Sequence, residues 1–590
     1  MLRALGDWKV GEGLDAGLFR SFAQQVVERI RGPFLAQHPP RQVLRNLETA
    51  FGFALVRRDD EIHVEVREGA QRGVQVLTHM ADQPFIVDTT RLFLRRVDAE
   101  YWGGFNVILR VRRDDQGRLV AVGENEPLQE SLALMEVDEG SLGDLAAAAG
   151  RLHDHLALGR VAVRDFRAMT RAVERMQERC DVLAERLPDR AAAWRETSAF
   201  LGWLLKENFV FMGMEVNGAS YGIQSVDSSY RCRHDRPWAQ PHPPGTVFVR
   251  KSRSESPIHR AGRIDEVRVI IGEGDTAEEL YIRGMFTYRA VTQPRRAIPI
   301  LRDVLKTELA RQEAVPASFR YKGIANVFDS LPTEFLFTTP GSAIGEVVEL
   351  VLDSEQQQEV GVTLLTYDDS TAFALLSMPK PQYSDELRRD IEAEIGRALG
   401  PTYSDHGLFI GRFDTVLLHY YLTGLQRHDD RTVQQLTERI RTLATPWESR
   451  LWQVIAQQEG EERADLLVDR WGRGFSSEWT RRTAPERAAL DVALLDVLDD
   501  DGIAADVFVE GEVARLRVYQ GRDAFLTDLL PVLGNFGLTV IRADAAIVRS
   551  PRGVRHIDTF DLALDADGRA QLLAAKERLV DALPAVFSRR

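Results

Sequence analysis

One order of elements, strand, strand, helix, strand, strand, helix, recurs three times along this chain. It constrains the fold more than any single motif does. Two hairpins, each followed by a helix, close as a four-stranded antiparallel sheet with two helices on one face, the ferredoxin-like α+β arrangement. The last copy is the plainest. ADVFVEG (505–511) and EVARLRVY (512–519) read as strands around a glycine turn, and Ala514, Leu516 and Val518 alternate with Arg515 and Arg517, the period of a half-buried strand. DAFLTDLLPVLGNFG reads as a helix with Asp523 as its N-cap, LTVIRADA and HIDTFDLAL as the second strand pair, and a closing helix runs from about Ala566 to Ala585. The same order is read at 359–446, where Leu387, Ile391, Ile395 and Leu399 recur at helical spacing, and at 61–158, from EIHVEVRE to LGDLAAAAGRLHDHL.

At roughly 150 residues per domain, 590 residues suggest about four domains. The periodicity divides them into an N-terminal helical segment (1–50), a first repeat unit (51–159), a linker helix (160–196), a mixed α/β middle domain (197–340), a second unit (341–446), a helical connector (447–482) and a third unit (483–590). HDRPWAQPHPPG at 234–245 reads as a surface loop. The net charge of -14 argues against a general affinity for nucleic acid or an anionic membrane. There is no apolar signal core and no run of about 18 apolar residues, so a cytoplasmic protein is expected.

Two stretches are candidate ligand sites. At the strand-to-helix corner of the first unit, HMADQPFIVDTT (79–90), Asp82, Gln83, Pro84 and Phe85 deliver the chain into a helix whose first amides lack internal partners and suit a carboxylate or phosphate. The alternative is a structural turn with Asp82 as cap and Phe85 in the core. In KSRSESPIHRAGRID (251–265), Lys251, Arg253, His259, Arg260 and Arg263 form a candidate anion site; the alternative is a loop held by salt bridges. No metal site is expected. His153 and His155 point to different sides of a helix, and Cys232, His234 and His242 match no tight ligand spacing.

With these residues in view, the chain resembles the large bacterial NAD-dependent glutamate dehydrogenases, in their N-terminal part. VQVLTHMADQPFIVDTTRLFL, ESLALMEVD, FLGWLLKENFVFMGMEV, KSRSESPIHRAGRIDEVRV, FDSLPTEFLF, PWESRLWQVIAQQEGEERADLLVDRW and LTDLLPVLGNFGLTVI carry the resemblance in order along about 50–565. It implies that the three units are ACT-like, ACT domains being small regulatory modules that often bind amino acids. The 79–90 corner resembles their ligand corner, with Phe85 where the usual pattern has glycine.

Glutamate oxidation in that family needs a dinucleotide fold and an active-site lysine, which the resemblance places beyond the matched region. Here the single Gly-Gly pair, Gly103-Gly104, is followed by no lysine of a GGxKxG-like motif, and none of Lys9, Lys206, Lys251, Lys306, Lys322, Lys380 and Lys576 lies in one. The chain alone is therefore not expected to catalyse, and no cofactor is expected in it; NAD would enter only through a catalytic partner. Three readings follow. The first is a non-catalytic regulatory or assembly protein that senses an amino acid or carboxylate and acts through a homo-oligomer or a catalytic dehydrogenase chain. The second is the regulatory half of a split dehydrogenase, and the third a scaffold whose ACT-like folds bind no ligand. None involves nucleic acid or membrane.

Overall fold

The computed structural model describes residues 2–30, 38–69, 73–140, 142–226, 247–272, 277–368, 370–411, 414–521 and 526–587. The 234–245 stretch, Cys232, His234, His242 and Asp523 lie outside them. Four sheets follow one another along the chain, each with antiparallel neighbours.

The three repeat units form the expected α+β sheets. The first contains β1 (His63–Glu68), β2 (Val74–Ala81), β3 (Tyr101–Arg113), β4 (Leu119–Val122) and β5 (Leu128–Val137), in the order β1-β2-β5-β3-β4. The short edge strand β4 was not expected. The middle domain carries β6 (Phe209–Val216), β7 (Ala219–Gly222), β8 (Val247–Glu255), β9 (Arg263–Ile271) and β10 (Glu278–Phe286), in the order β7-β6-β10-β9-β8. The second unit is β11 (Gly361–Asp368), β12 (Thr371–Pro379), β13 (Tyr403–Ile410) and β14 (Thr415–Thr423); the third is β15 (Ile503–Glu510), β16 (Val513–Gln520), β17 (Val540–Ser550) and β18 (Gly553–Leu562). Both have their last strand between the second and third. In every unit the helix after the second strand therefore crosses over one intervening strand, a layout the repeated element order implies but does not specify.

Both faces of each repeat sheet are covered, which explains why the segments between units are helical. In the first, Val74, Val76, Met135 and Val137 pack on Phe93, Leu152 and Leu156 of the unit's own helices. Leu77, Phe105, Val107 and Leu134 on the opposite face meet Phe19, Phe22, Leu47 and Phe51, from helices Ala16–Arg29 and Pro40–Ala54. The N-terminal helices thus complete the core of the first sheet. In the second unit, Ile391, Ile395, Leu436 and Ile440 cover one face, while Phe373 and Tyr421 on the other enter the core of the middle domain, with Phe373 5.4 Å from Phe335. In the third, the connector helices between 447 and 482, together with the helix Pro485–Val497 of the unit itself, pack on Tyr519, Val548 and Ile557. Burial on this scale, at about 25 cal/mol per Å² of apolar surface, is the main force holding the units to their neighbours.

The closing helix of the first unit and the expected linker helix are one 42-residue helix, Leu145–Arg186. No proline interrupts it, and Gly159 within it lies beside Ile258 and Gln83.

Gly284 breaks the register between β10 and β6, and a Cβ there would overlap the carbonyl oxygen of Val210 and press on the Phe209 ring. Gly284→Ala is expected to destabilise the protein by roughly 3 kcal/mol, since backbone and a packed aromatic ring would both have to move; a urea titration reads this as a lowered midpoint.

Candidate functional site

The corner after β2 is anchored by the Asp82 N–H, which donates to the Gln129 carbonyl at 3.0 Å. Asp82 does not cap the following helix: Phe85 occupies the N-cap position of Ile86–Arg96, without a side-chain cap bond. Phe85 has φ +77°, a left-handed conformation that costs a non-glycine residue about 1–2 kcal/mol. This gives a physical reason for glycine in the family pattern. Partial burial raises the pKa of the Asp82 carboxyl, and a backbone hydrogen bond at Gln83 opposes it.

The 251–265 stretch forms β8, a tight loop and the start of β9, and the loop docks on that corner. The His259 ring lies 5.2 Å from the Phe85 ring, edge to face, and its backbone N–H donates to Thr89 Oγ1 at 3.3 Å. His259 Nδ1 is 3.7 Å from Asp88 Oδ2. Burial lowers the His259 pKa, with Asp88 opposing. His259 is also left-handed, at φ +70°. Arg96 donates to the Ser256 carbonyl at 2.6 Å, His155 Nδ1–H to the Pro257 carbonyl at 2.8 Å, and Ile258 is buried against Leu158, Ala162 and Met212. The two candidate sites read separately in the sequence are thus opposite sides of one contact.

The basic residues of that stretch do not converge on a common point. Lys251, its side chain 12% exposed, pairs with Asp265 at 2.7 Å and Glu334 at 3.3 Å. Arg253 donates to Ser370 Oγ at 2.9 Å, and Arg260 to the Phe286 carbonyl at 2.9 Å. The Arg263 guanidinium stacks over the Tyr403 ring at 4.6 Å. A guanidinium fork for an anion would need them to face one space, and the β8–β9 hairpin instead sends them to separate neighbours.

A buried charged cluster in the first unit was not anticipated. Glu130, fully buried at the start of β5, accepts from His79 Nε2 at 2.7 Å, Arg57 at 2.8 Å and Arg113 at 2.7 Å. Burial alone would raise the Glu130 pKa; Arg113, His79 and Arg57 outweigh it and hold the carboxyl well below the usual range. Burial depresses His79 to about 4, despite Glu130. The sequence signal was a His in the corner motif and a Glu opening a strand, but their meeting depends on β2 pairing with β5.

Among the described residues no group of three or more His, Cys, Asp or Glu is placed to hold a metal ion. His153 is exposed beside Asp154, while His155 turns to the Pro257 carbonyl. No helix among them is long and apolar enough to cross a membrane.

Comparison with known proteins places these elements. Residues 22–151 match the model of the glutamate dehydrogenase ACT1 domain, and 505–575 that of the glutamate dehydrogenase ACT3 domain. The ACT1 match takes in the helix Pro40–Ala54 that covers the first sheet. NAD-specific glutamate dehydrogenase of Halomonas elongata is 25% identical over 82% of this chain and 32% of its own length. That of Pseudomonas aeruginosa is 23% identical over 84% and 33%, and that of Mycobacterium tuberculosis 25% identical over 48% and 18%. The chain spans about a third of the length of the first two. With its ACT1 and ACT3 segments, the chain is a relative of the NAD-specific glutamate dehydrogenases.

Proposed function

We propose that this chain regulates and assembles a glutamate dehydrogenase activity without itself transferring hydride. It senses an amino acid or related carboxylate, and the state of the first ACT-like unit passes to the middle domain where Phe85 meets His259. The observation that carries this reading is that contact: two non-glycine residues, both held left-handed, face each other across two units. Strain of this kind persists only where the surroundings impose it and is common at switch regions. NAD enters through a catalytic partner chain, the cofactor and not this chain carrying the hydride step.

The test is capture of the tagged chain from its native cytosol, with NAD-dependent glutamate oxidation assayed in the eluate and in the pure chain as single amino acids are added. Activity in the eluate alone, altered by an amino acid, is the expected result. His259→Ala is expected to leave capture intact and to reduce the amino-acid response at least several-fold, because the coupling between two sites is the free energy of the contacts that differ between their states. Activity in the pure chain would overturn the non-catalytic assignment. Inactive eluate together with no amino-acid binding to the pure chain would replace the proposal with a ligand-free scaffold.

A further inference from the structure

The two edges of the third sheet differ. β15 is covered: the closing helix Lys576–Phe587 packs along it, and Lys576 pairs with Asp506 at 2.7 Å. β17 is open. Only β18 pairs with it, and no other hydrogen bond among the described residues reaches its backbone between 541 and 547. Every residue from Ile541 to Ala545 is exposed, Ile541 by 69%, and Ile547 is 46% exposed. Ala543 lies in register with Phe560 of β18, on the face where Leu529, Val532 and Leu533 of the helix Leu526–Asn535 bury Phe560. The helix layer therefore covers β18 and leaves β17 bare.

An exposed strand edge is a template for a further strand, and native proteins blunt it with lysine, proline or charges that repel. β17 has neither lysine nor proline. Its charges suit a copy of itself. Arg542 and Asp544 lie together on the face opposite Ala543, 2.8 Å apart and both more than half exposed. A two-fold axis through Ala543, perpendicular to the sheet, sets each Arg542 directly across from Asp544 of the second copy. The four charges then alternate in sign, Ala543 meets Ala543, and Ile541 falls beside Ala545. Opposite charges on facing strands favour pairing and like charges oppose it. An axis through Arg542 or Asp544 would set like charges face to face. One through Ala545 would carry the pairing onto Arg549, whose carbonyl is already packed by Gly474 of the connector.

We propose that β17 pairs antiparallel with β17 of a second copy of this chain about Ala543, joining two four-stranded sheets into one. The pairing goes beyond the sensing and the catalytic capture proposed above and is read without either, so each can fail alone. The test is cross-linking of the pure full chain carrying Ala543→Cys in a Cys232→Ser background, with a short bis-maleimide; Cys180 is buried. A covalent dimer is expected from Ala543→Cys and not from Glu512→Cys, on the exposed turn between β15 and β16. Adding Asp544→Arg sets arginine across from arginine and is expected to cut the dimer yield about tenfold, as is Arg542→Asp. The two reversals together restore the complementarity and should restore the yield. Arg542, Ala543 and Asp544 are all exposed, so these substitutions leave the core intact. No linked pair at Ala543, or one as abundant after either single reversal, would overturn the proposal and leave this edge to a strand of another protein. Failure of the double reversal to restore a pair lost in the single ones would overturn it as well, because the register rests on that complementarity.

Discussion

Glu130→Ala is expected to destabilise the folded protein by about 3–5 kcal/mol, the range found when one partner of a buried ion pair is removed and the other is left uncompensated. Here two guanidiniums lose their buried counter-charge at once, Arg57 and Arg113, both almost completely buried; only the exposed Asp59, 3.9 Å from Arg57, remains. Arg57 keeps its bonds to the Arg58 and Asp59 carbonyls, and Arg113 those to Ala54 and Gly117, so the loss is chiefly of charge compensation. Because the cluster ties the N-terminal helices to β2, β3 and β5, the first unit should melt before the others, read as an early transition in a urea titration. The same cluster sets an acid limit in the natural protein. Its folded state keeps His79 neutral down to about pH 4, whereas the unfolded chain protonates near 6.5, so stability falls as pH drops through that interval. Below about pH 4.5 the unfolded chain also protonates Glu130 ahead of the folded state, and stability falls further. A Glu130→Ala protein as stable as the original at neutral pH would mean that the two arginines reach water.

The repeat order was legible because it rests on local pattern: alternation in β16 and four-residue spacing in the helix Asp385–Leu399. Strand order was not written locally, since β5 chooses β2 and β3 as neighbours through contacts far apart in sequence. The same limit explains the sites. The 79–90 corner and the 251–265 loop each stood out by composition, but that His259 would land on Phe85 depends on how the helix Leu145–Arg186 sets the middle sheet beside the first. Lys251 and its arginine neighbours looked like one basic patch because residues close in sequence were read as close in direction. A strand sends alternate side chains to opposite faces, and a hairpin turns the chain back on itself, so such a run is dispersed.

Lys251→Met makes the role of that lysine measurable. Lys251 joins β8 to Asp265 on β9 and to Glu334 on the helix Thr333–Thr338, and Phe335 of that helix carries the contact on to the second unit. Burial already raises the Asp265 pKa, with Lys251 opposing; burial would raise Glu334 as well, but Lys251 foremost holds it below the usual value. Without the ammonium both carboxylates face each other, the depressed His419 and the Tyr421 hydroxyl in a space that penalises charge. At neutral pH the variant is expected to lose about 3–5 kcal/mol. The deficit should shrink on acidification. The folded variant then holds protons that the unfolded chain releases above about pH 4.5, so its stability relative to the natural protein rises as pH falls from about 8 towards 5. Urea midpoints of both proteins across that range decide the matter. A deficit that does not change with pH would show that Asp265 and Glu334 stay ionised and hydrated, and that Lys251 contributes packing rather than charge. A shrinking deficit would identify this triad as the electrostatic joint holding the His259 loop, the middle sheet and the second unit in one arrangement, the rigidity that the proposed coupling through Phe85 and His259 requires.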